Sequence, residues 1–115
     1  MNGNEEFDDS NVIIKQNNIK YSINVKEKVA GVIGSKKDIF EIFIPVSIYY
    51  ESNEYKITSI LEKAFYNSQI QSIQFERNSK LQTIENEAFS KSSIESITIP
   101  SQVTQIGNKA FYCCQ

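Results

Sequence analysis

A short phrase built around Ala-Phe recurs three times in the second half of the chain, and it constrains the fold more than any other feature. The copies occupy residues 57–68, 81–92 and 103–114. In each copy an apolar residue is followed three positions later by Ile, and four positions after that by Ala-Phe. The Ala-Phe pairs are 24 and then 22 residues apart, and they contain three of the four alanines in the chain. A repeat of this length indicates a solenoid in which each copy forms one turn.

A second repeated phrase lies between the Ala-Phe copies, at residues 39–45, 70–75 and 94–100. Each copy ends in an apolar, other, apolar alternation, which is typical of a short strand with one buried face. The chain has 18 Ile and only two Leu, a bias that also favours strands because β-branched residues fit a pleated surface. We therefore expect each coil to contain a short strand.

Stacking of the coils is required because a single coil cannot bury its own apolar face. We expect three columns of side chains: Ile42, Ile73 and Ile97; Ile44, Phe75 and Ile99; and Phe65, Phe89 and Phe111. The small Ala beside each Phe would leave room for the next coil. The alternative is that these aromatic residues belong to the ordinary core of a compact α+β domain.

Residues 94–114 read I-E-S-I-T-I-P-S-Q-V-T-Q-I-G-N-K-A-F-Y-C-C. This resembles the BspA-like leucine-rich repeats, also called the Treponema-pallidum-type repeats, whose pattern is approximately L-x-x-I-x-I-P-x-x-V-x-x-I-G-x-x-A-F-x-x-C. Cys114 stands at the family's cysteine. The earlier copies depart from the pattern: Ser68 and Ser92 replace the cysteine, Leu61 and Glu85 replace the glycine, and residues 76–80 contain two extra positions. Because of these departures, the sequence does not predict the curvature of the solenoid.

The resemblance implies a leucine-rich-repeat solenoid of the α/β-horseshoe class, here dominated by short parallel β-strands, with an N-terminal β-hairpin cap. Residues 19–25 resemble the opening strand of such a cap, and residues 44–60 alternate on both sides of a polar turn, as a hairpin does. We expect three parts: a flexible acidic tail at 1–11, a cap at 12–56 that includes the first repeat strand (39–45), and repeats at 57–115, the last incomplete.

The segment Gly31–Lys37, G-V-I-G-S-K-K, invites comparison with nucleotide-binding loops. Its glycine spacing is wrong for a phosphate loop, and no helix pattern follows it. It also carries Lys37 where a Gly-x-x-Gly clamp for RNA would have its second glycine. We interpret the segment as a turn between cap strands.

No catalytic, metal or cofactor site is expected. The chain has no histidine, which removes Ser-His and Cys-His pairs and imidazole ligands. Cys113 and Cys114 are adjacent, so a disulfide between them would be strained, and they lack the spacing of a zinc site. Glu85 and Glu87 flank a turn, where isolated surface carboxylates are common. We therefore predict a protein that is not an enzyme and uses no cofactor.

The charge and hydropathy patterns restrict the classes of partner that the chain is expected to bind. The net charge is −2, from 12 basic and 14 acidic residues distributed along the chain, so no basic stripe is offered to a nucleic acid. No apolar run approaches the roughly 20 residues that span a bilayer. The expected partner is a protein, without nucleic acid and without membrane insertion by this segment.

The candidate binding surface is the predicted concave face, formed by side chains that alternate with the buried isoleucines. Its members are Glu41, Phe43, Ser72, Gln74, Ser96 and Thr98. Solenoids use such a face to hold partners. The resemblance implies a surface protein that adheres to host or matrix proteins. An intracellular scaffold is the alternative, favoured because no signal peptide or transmembrane segment is visible.

The chain stops directly after an Ala-Phe-x-x-Cys, where the family pattern would begin another strand. We therefore expect a fragment of a longer array. Expressed alone, it should be marginally stable and should associate with itself through its open C-terminal end, since about three repeats are the usual minimum.

Overall fold

The computed structural model describes residues 11–114, which form an elongated body of 47 × 29 × 29 Å. This range contains nine strands and no helix. The strands are β1 (Asn11–Gln16), β2 (Ile19–Asn24), β3 (Val29–Ser35), β4 (Glu41–Ile44), β5 (Ser47–Tyr50), β6 (Asn53–Ile60), β7 (Ser72–Phe75), β8 (Thr83–Ile84) and β9 (Gln105–Ile106). The tail predicted at 1–11 lies outside the described residues, except for Asn11, which begins β1.

Strands β1, β2 and β3 form an antiparallel meander at the N-terminal end. Asn17 and Asn18 turn the chain between β1 and β2 with φ of 50° and 70°. Two consecutive left-handed residues are typical of the tight turn that matches strand twist, and Asn adopts this conformation at low cost. The inner face of β2 carries Ile19, Tyr21 and Ile23, all buried in the core.

Strand β6 joins this meander to the solenoid. Its first half pairs antiparallel with β5, around a turn at Glu51 and Ser52, and these two strands form the expected hairpin. Its second half pairs in parallel with β3 on one side and with β8 on the other. The cap and the coils therefore share one continuous sheet, and the free edge that a solenoid end would otherwise expose is covered.

The turn predicted at Gly31–Lys37 is wrong for most of that segment, because residues up to Ser35 belong to β3. Glycine is required at position 31 because other side chains pack closely against it, and not because the backbone turns there. A Cβ at Gly31 would lie 2.8 Å from the Ser59 hydroxyl oxygen and 2.9 Å from Leu61 Cγ, closer than packed atoms allow. A glycine inside a strand can mark such an approach, and the sequence pattern alone does not distinguish it from a turn.

Two parallel ladders run along the solenoid. In one, Ile60 of β6 pairs with Ile84 of β8, which pairs with Ile106 of β9. In the other, β4 and β7 pair so that Ile42 faces Ile73 and Ile44 faces Phe75, which confirms that part of the expected columns.

The third copy of the strand phrase is less regular than predicted. Residues 94–99 are joined to β7 by a single bridge, Ser72 to Ser96, and do not form a full strand. Ile97 and Ile99 are only half-buried. This segment has one neighbouring coil within the described residues, so little holds it in a continuous ladder.

The phenylalanine column is confirmed. The rings of Phe65 and Phe89 are stacked with centroids 5.4 Å apart and planes inclined by 8°. Phe89 and Phe111 are stacked in the same way, at 5.3 Å and 6°. Backbone hydrogen bonds tie the same segments together, since the Phe65 N–H donates to the Ala88 carbonyl at 2.7 Å and the Phe89 N–H to the Ala110 carbonyl at 2.8 Å. A solenoid, and not a compact α+β domain, is therefore the architecture.

Each Ala-Phe turn has the same backbone conformation. The residue before Ala has a positive φ in all three coils, at Lys63 (58°), Glu87 (57°) and Lys109 (56°). The residue two positions after Phe also has a positive φ, at Asn67 (55°), Lys91 (60°) and Cys113 (57°). Because non-glycine residues seldom adopt this conformation, its recurrence shows that stacking imposes the turn geometry on the sequence.

The glycine of the repeat pattern is required only where the backbone of the neighbouring coil packs closely against it. A Cβ at Gly107 would lie 2.6 Å from the backbone nitrogen of Asn86. The Asn86 side-chain oxygen accepts a hydrogen bond from the Asn108 N–H at 2.8 Å in the same place. At the equivalent position one coil earlier, the Glu85 carboxylate instead reaches back and accepts from the Glu62 N–H at 3.1 Å.

We expect Phe89→Ala to reduce the free energy of unfolding by about 3–5 kcal/mol, because Phe89 is fully buried between two rings. Phe111→Ala should cost less, since Phe111 is half-buried at the end of the column. Urea denaturation followed by circular dichroism measures both. Phe43→Ala is the control: this exposed ring should contribute about 1 kcal/mol or less. Equal losses from Phe89→Ala and Phe43→Ala would contradict the stacked column.

Candidate functional site

The structure places the six residues of the predicted concave face on one side of the strand ladder. In the register of β4 and β7, Glu41 lies beside Ser72 and Phe43 beside Gln74, and the single bridge sets Ser96 beside Ser72. Ser72 is half-buried, and the other five are exposed: Glu41, Phe43, Gln74, Ser96 and Thr98. The parallel register brings them together because residues two apart on a strand point to the same side. Their use in binding stays a prediction.

Phe43 is the most prominent member of this face, with 53% of its surface exposed. It lies between two clefts. The first, of about 540 Å³, is also lined by Gln74, Thr98, Arg77 and Lys80. The second, of about 540 Å³ as well, lies on the side of the cap. An aromatic side chain that remains exposed between two depressions can insert into, or be covered by, a protein partner.

Tyr49 extends the face towards the cap and was not predicted from the sequence. It is 63% exposed and lines the second cleft together with Phe43 and Glu41. The hydrogen bond from the Gln16 side-chain amide to the Tyr49 carbonyl, at 2.9 Å, holds β1 against this strand. The alternation in S-I-Y-Y places Tyr49 outward, but only the tertiary structure sets the cap hairpin beside β4.

Two ionisable groups near the hairpin have shifted pKa values. Burial raises the pKa of Tyr21, which lines the second cleft, to about 12. The pKa of Glu54 is lowered because its carboxylate accepts hydrogen bonds from the Lys56 ammonium at 2.9 Å and from the Ser47 hydroxyl at 2.7 Å. Glu54 is thus engaged in an ion pair with Lys56 of the same strand and in a hydrogen bond from Ser47 across the hairpin.

The two carboxylates that could be mistaken for a catalytic pair serve coil-to-coil contacts. Glu85 accepts a hydrogen bond from the Glu62 N–H, and Glu87 lies 3.9 Å from the Lys63 ammonium. Each therefore contacts the preceding coil. Contacts of this kind are structural, and they account for both side chains without a substrate.

Cys114 packs as part of the solenoid. Its thiol donates to the Phe89 carbonyl at 3.0 Å and lies 3.7 Å from the Ser92 hydroxyl. The Ser92 hydroxyl in turn accepts from the Ile94 N–H at 3.4 Å, so serine and cysteine occupy equivalent positions in successive coils. Cys113 is exposed, and both thiols are free. Within residues 11–114 no group of three or more His, Cys, Asp or Glu side chains is arranged to hold a metal ion.

The stacked coils, the parallel ladders and the β-cap define a leucine-rich-repeat protein. The family described as "BspA type Leucine rich repeat region (6 copies)" matches residues 34–115, well over half of the sequence. The chain belongs to this BspA-type family. No curated protein sequence gives a significant match.

Two solved structures share the fold. The pneumococcal vaccine antigen PcpA is similar with a TM-score of 0.62 and 24% sequence identity, over 90% of this chain and 36% of that one. A leucine-rich repeat protein from Bacteroides capillosus is similar with a TM-score of 0.58 and 20% identity, over 82% of this chain and 86% of that one. The chain thus spans only about a third of the PcpA structure.

The fold and the family together assign a repeat module for protein interaction. Leucine-rich repeats are generally a binding fold and not a catalytic one. Among residues 11–114, no helix is both long enough and apolar enough to cross a membrane.

Proposed function

We propose that the chain recognises a protein partner through the predicted concave face, without catalysis and without a cofactor. The observation that carries this proposal is the exposed Phe43 between two clefts, paired in register with Gln74 and sharing the first cleft with Thr98. A central aromatic residue surrounded by polar groups is the usual arrangement of an interaction hot spot. Tyr49 adds a second exposed ring on the side of the cap.

The cap and the coils have separate roles in this proposal. Residues 12–56 hold the first strand and cover the end of the solenoid, and residues 57–115 supply the repeats. The shared sheet through β6 supports the covering role of the cap, and the hairpin strand β5 that carries Tyr49 follows β4 after only two residues, which keeps Tyr49 close to Phe43. A rigid scaffold lowers the ordering cost of binding.

We expect Phe43→Ala to weaken binding to immobilised extracellular-matrix proteins by about tenfold or more, as truncation of a hot-spot aromatic residue does. Surface plasmon resonance against a panel of matrix glycoproteins measures this. Tyr112→Ala is the matched control, since Tyr112 is 50% exposed but lies on the Ala-Phe turns, away from this face. Both variants should retain the thermal stability of the parent chain. A loss caused equally by both variants would overturn the assignment of this face.

We further propose that the protein acts at a cell surface, in adhesion or recognition. The resemblance to BspA-like proteins supports this, and the similar protein PcpA is described as a vaccine antigen. An intracellular scaffold that uses the same face is the alternative.

A membrane-impermeant biotin reagent applied to intact cells distinguishes the two locations. The exposed lysines of the Ala-Phe turns should be labelled if the protein lies at the surface, and they should react only after lysis if it is an intracellular scaffold. A resident cytoplasmic enzyme followed in the same cells is the control for leakage. Labelling confined to lysed cells would reject the surface role.

The last coil exposes apolar surface through which the 115-residue chain should associate with itself. Ile106 is 51% exposed although its counterparts Ile60 and Ile84 are fully buried, and Phe111 is half-buried. We expect sedimentation velocity to show dimers or larger species at micromolar concentration, and Ile106→Lys to shift the distribution towards monomer. Ile13→Lys, at an equally exposed isoleucine of β1, should leave it unchanged. Concentration-independent monomer for the parent chain would contradict this proposal.

A further inference from the structure

Four lysines meet beside the turn between β1 and β2 of the cap. Lys15 and Lys20 lie directly opposite each other in the register of β1 and β2. The Lys36 N–H donates to the Asn18 carbonyl at 2.9 Å, which brings Lys36 and Lys37 beside the same turn. The four residues come from three separate stretches of sequence, so no run of basic residues in the sequence indicates that they form a cluster.

The lysines line two adjoining clefts. One, of about 560 Å³, is formed by all four lysines and the turn at Asn17 and Asn18. The other, of about 410 Å³, shares Lys20, Lys36 and Lys37 with the first and continues to the Ala-Phe turn of the first coil. Since three lysines belong to both, the clefts form one extended depression, which we call the lysine groove.

The charge of the lysine groove is not neutralised by the described residues. Asp38 is the one acidic residue that lines it, and none of the four lysines forms an ion pair within residues 11–114. Like charges placed directly opposite in a sheet are destabilising, so the pair Lys15 and Lys20 works against folding. In a chain whose net charge is −2, the lysine groove is a region of concentrated positive potential.

An aromatic residue extends the positive surface. Tyr66 lines the groove, and the ammonium groups of Lys63 and Lys91 lie 5.5 and 5.8 Å from the centre of its ring. The stacking of coils brings Lys91 over a tyrosine of the preceding coil. The lysine groove therefore continues to the Ala-Phe turns, where Lys91 and Lys63, the latter 3.9 Å from the Glu87 carboxylate, lie beside a partly exposed ring.

We propose that the lysine groove binds a linear anionic polysaccharide that carries sulfate groups. The groove contains lysine and no arginine, and ammonium groups on flexible stems suit separate point charges better than a planar carboxylate or phosphate held by two hydrogen bonds. The amides of Asn17 and Asn18 offer donors and acceptors for sugar hydroxyls. The Tyr66 ring offers a surface for a sugar ring, and two joined clefts suit an extended chain.

The groove shares Gln16, Asn17 and Asn18 with the second cleft beside Phe43, but its four lysines do not line that cleft, so variants at Lys36 and Lys37 test the groove separately. Failure of one proposal therefore leaves the other standing.

The test is binding of the whole 115-residue chain to a heparin octasaccharide, measured by isothermal titration calorimetry at low and at physiological salt. We expect saturable binding that weakens as salt increases, and no binding of a neutral dextran of equal length. Lys36→Gln/Lys37→Gln should weaken binding by about tenfold or more, because each lysine close to an anionic surface contributes a several-fold factor. Lys36→Arg/Lys37→Arg, which preserves the charge, should retain most of the affinity.

The matched control is Lys26→Gln/Lys28→Gln, which removes the same charge from exposed positions outside the groove. It should change the affinity by less than about threefold. Equal weakening by the two Gln variants, or no binding to the parent chain, would overturn the proposal. Stronger binding of an octaglutamate peptide than of the octasaccharide would replace the polysaccharide with an acidic protein segment. Circular dichroism of each variant shows that the fold is retained.

Discussion

The contact between successive coils is the interaction on which the rest of this structure depends. A single coil contributes one Phe to the stacked column and strands that, beyond β6, are only two to four residues long, which is too little to bury an apolar face. Stacking gives each ring a neighbour at about 5.4 Å and gives the turn backbones hydrogen-bond partners in the next coil. Side chains and backbone thus require the same spacing, so a shift of one coil would break both sets of contacts. Stability in such a fold is a sum over neighbouring coils.

The cap connects the stacked coils to the proposed binding face. Because β6 pairs with the hairpin strand β5, with β3 and with β8, one strand connects the meander, the hairpin and the coils. Phe43 and Tyr49 belong to different sheets, and they lie beside the same cleft because only two residues separate β4 from β5. Exposing the polar residues around them costs little free energy. Exposing the two aromatic rings costs more, and this supports the proposal of a docking surface.

Much of the architecture could be predicted from repetition alone. The spacing of Ala-Phe correctly predicted the stacked column of Phe65, Phe89 and Phe111, and the period-two phrase correctly predicted the ladder of β4 and β7. The turn assigned at Gly31–Lys37 was wrong because a glycine required for close packing has the same local signature as a glycine required for turning. The prediction of a regular strand in the third copy was wrong, since a sequence pattern does not reveal how many neighbouring coils a segment has.

The sequence by itself determined which residues face the inside of each coil, because that choice follows from the period of the strand and the spacing of the repeat. It also determined the family, since the repeated motif is local. Only the tertiary structure decided which distant residues meet: Tyr49 beside Phe43, and Lys15 and Lys20 beside Lys36 and Lys37. These neighbours depend on the register between the cap and the first coil. That register is set by packing across the sheet, and no short stretch of sequence encodes it.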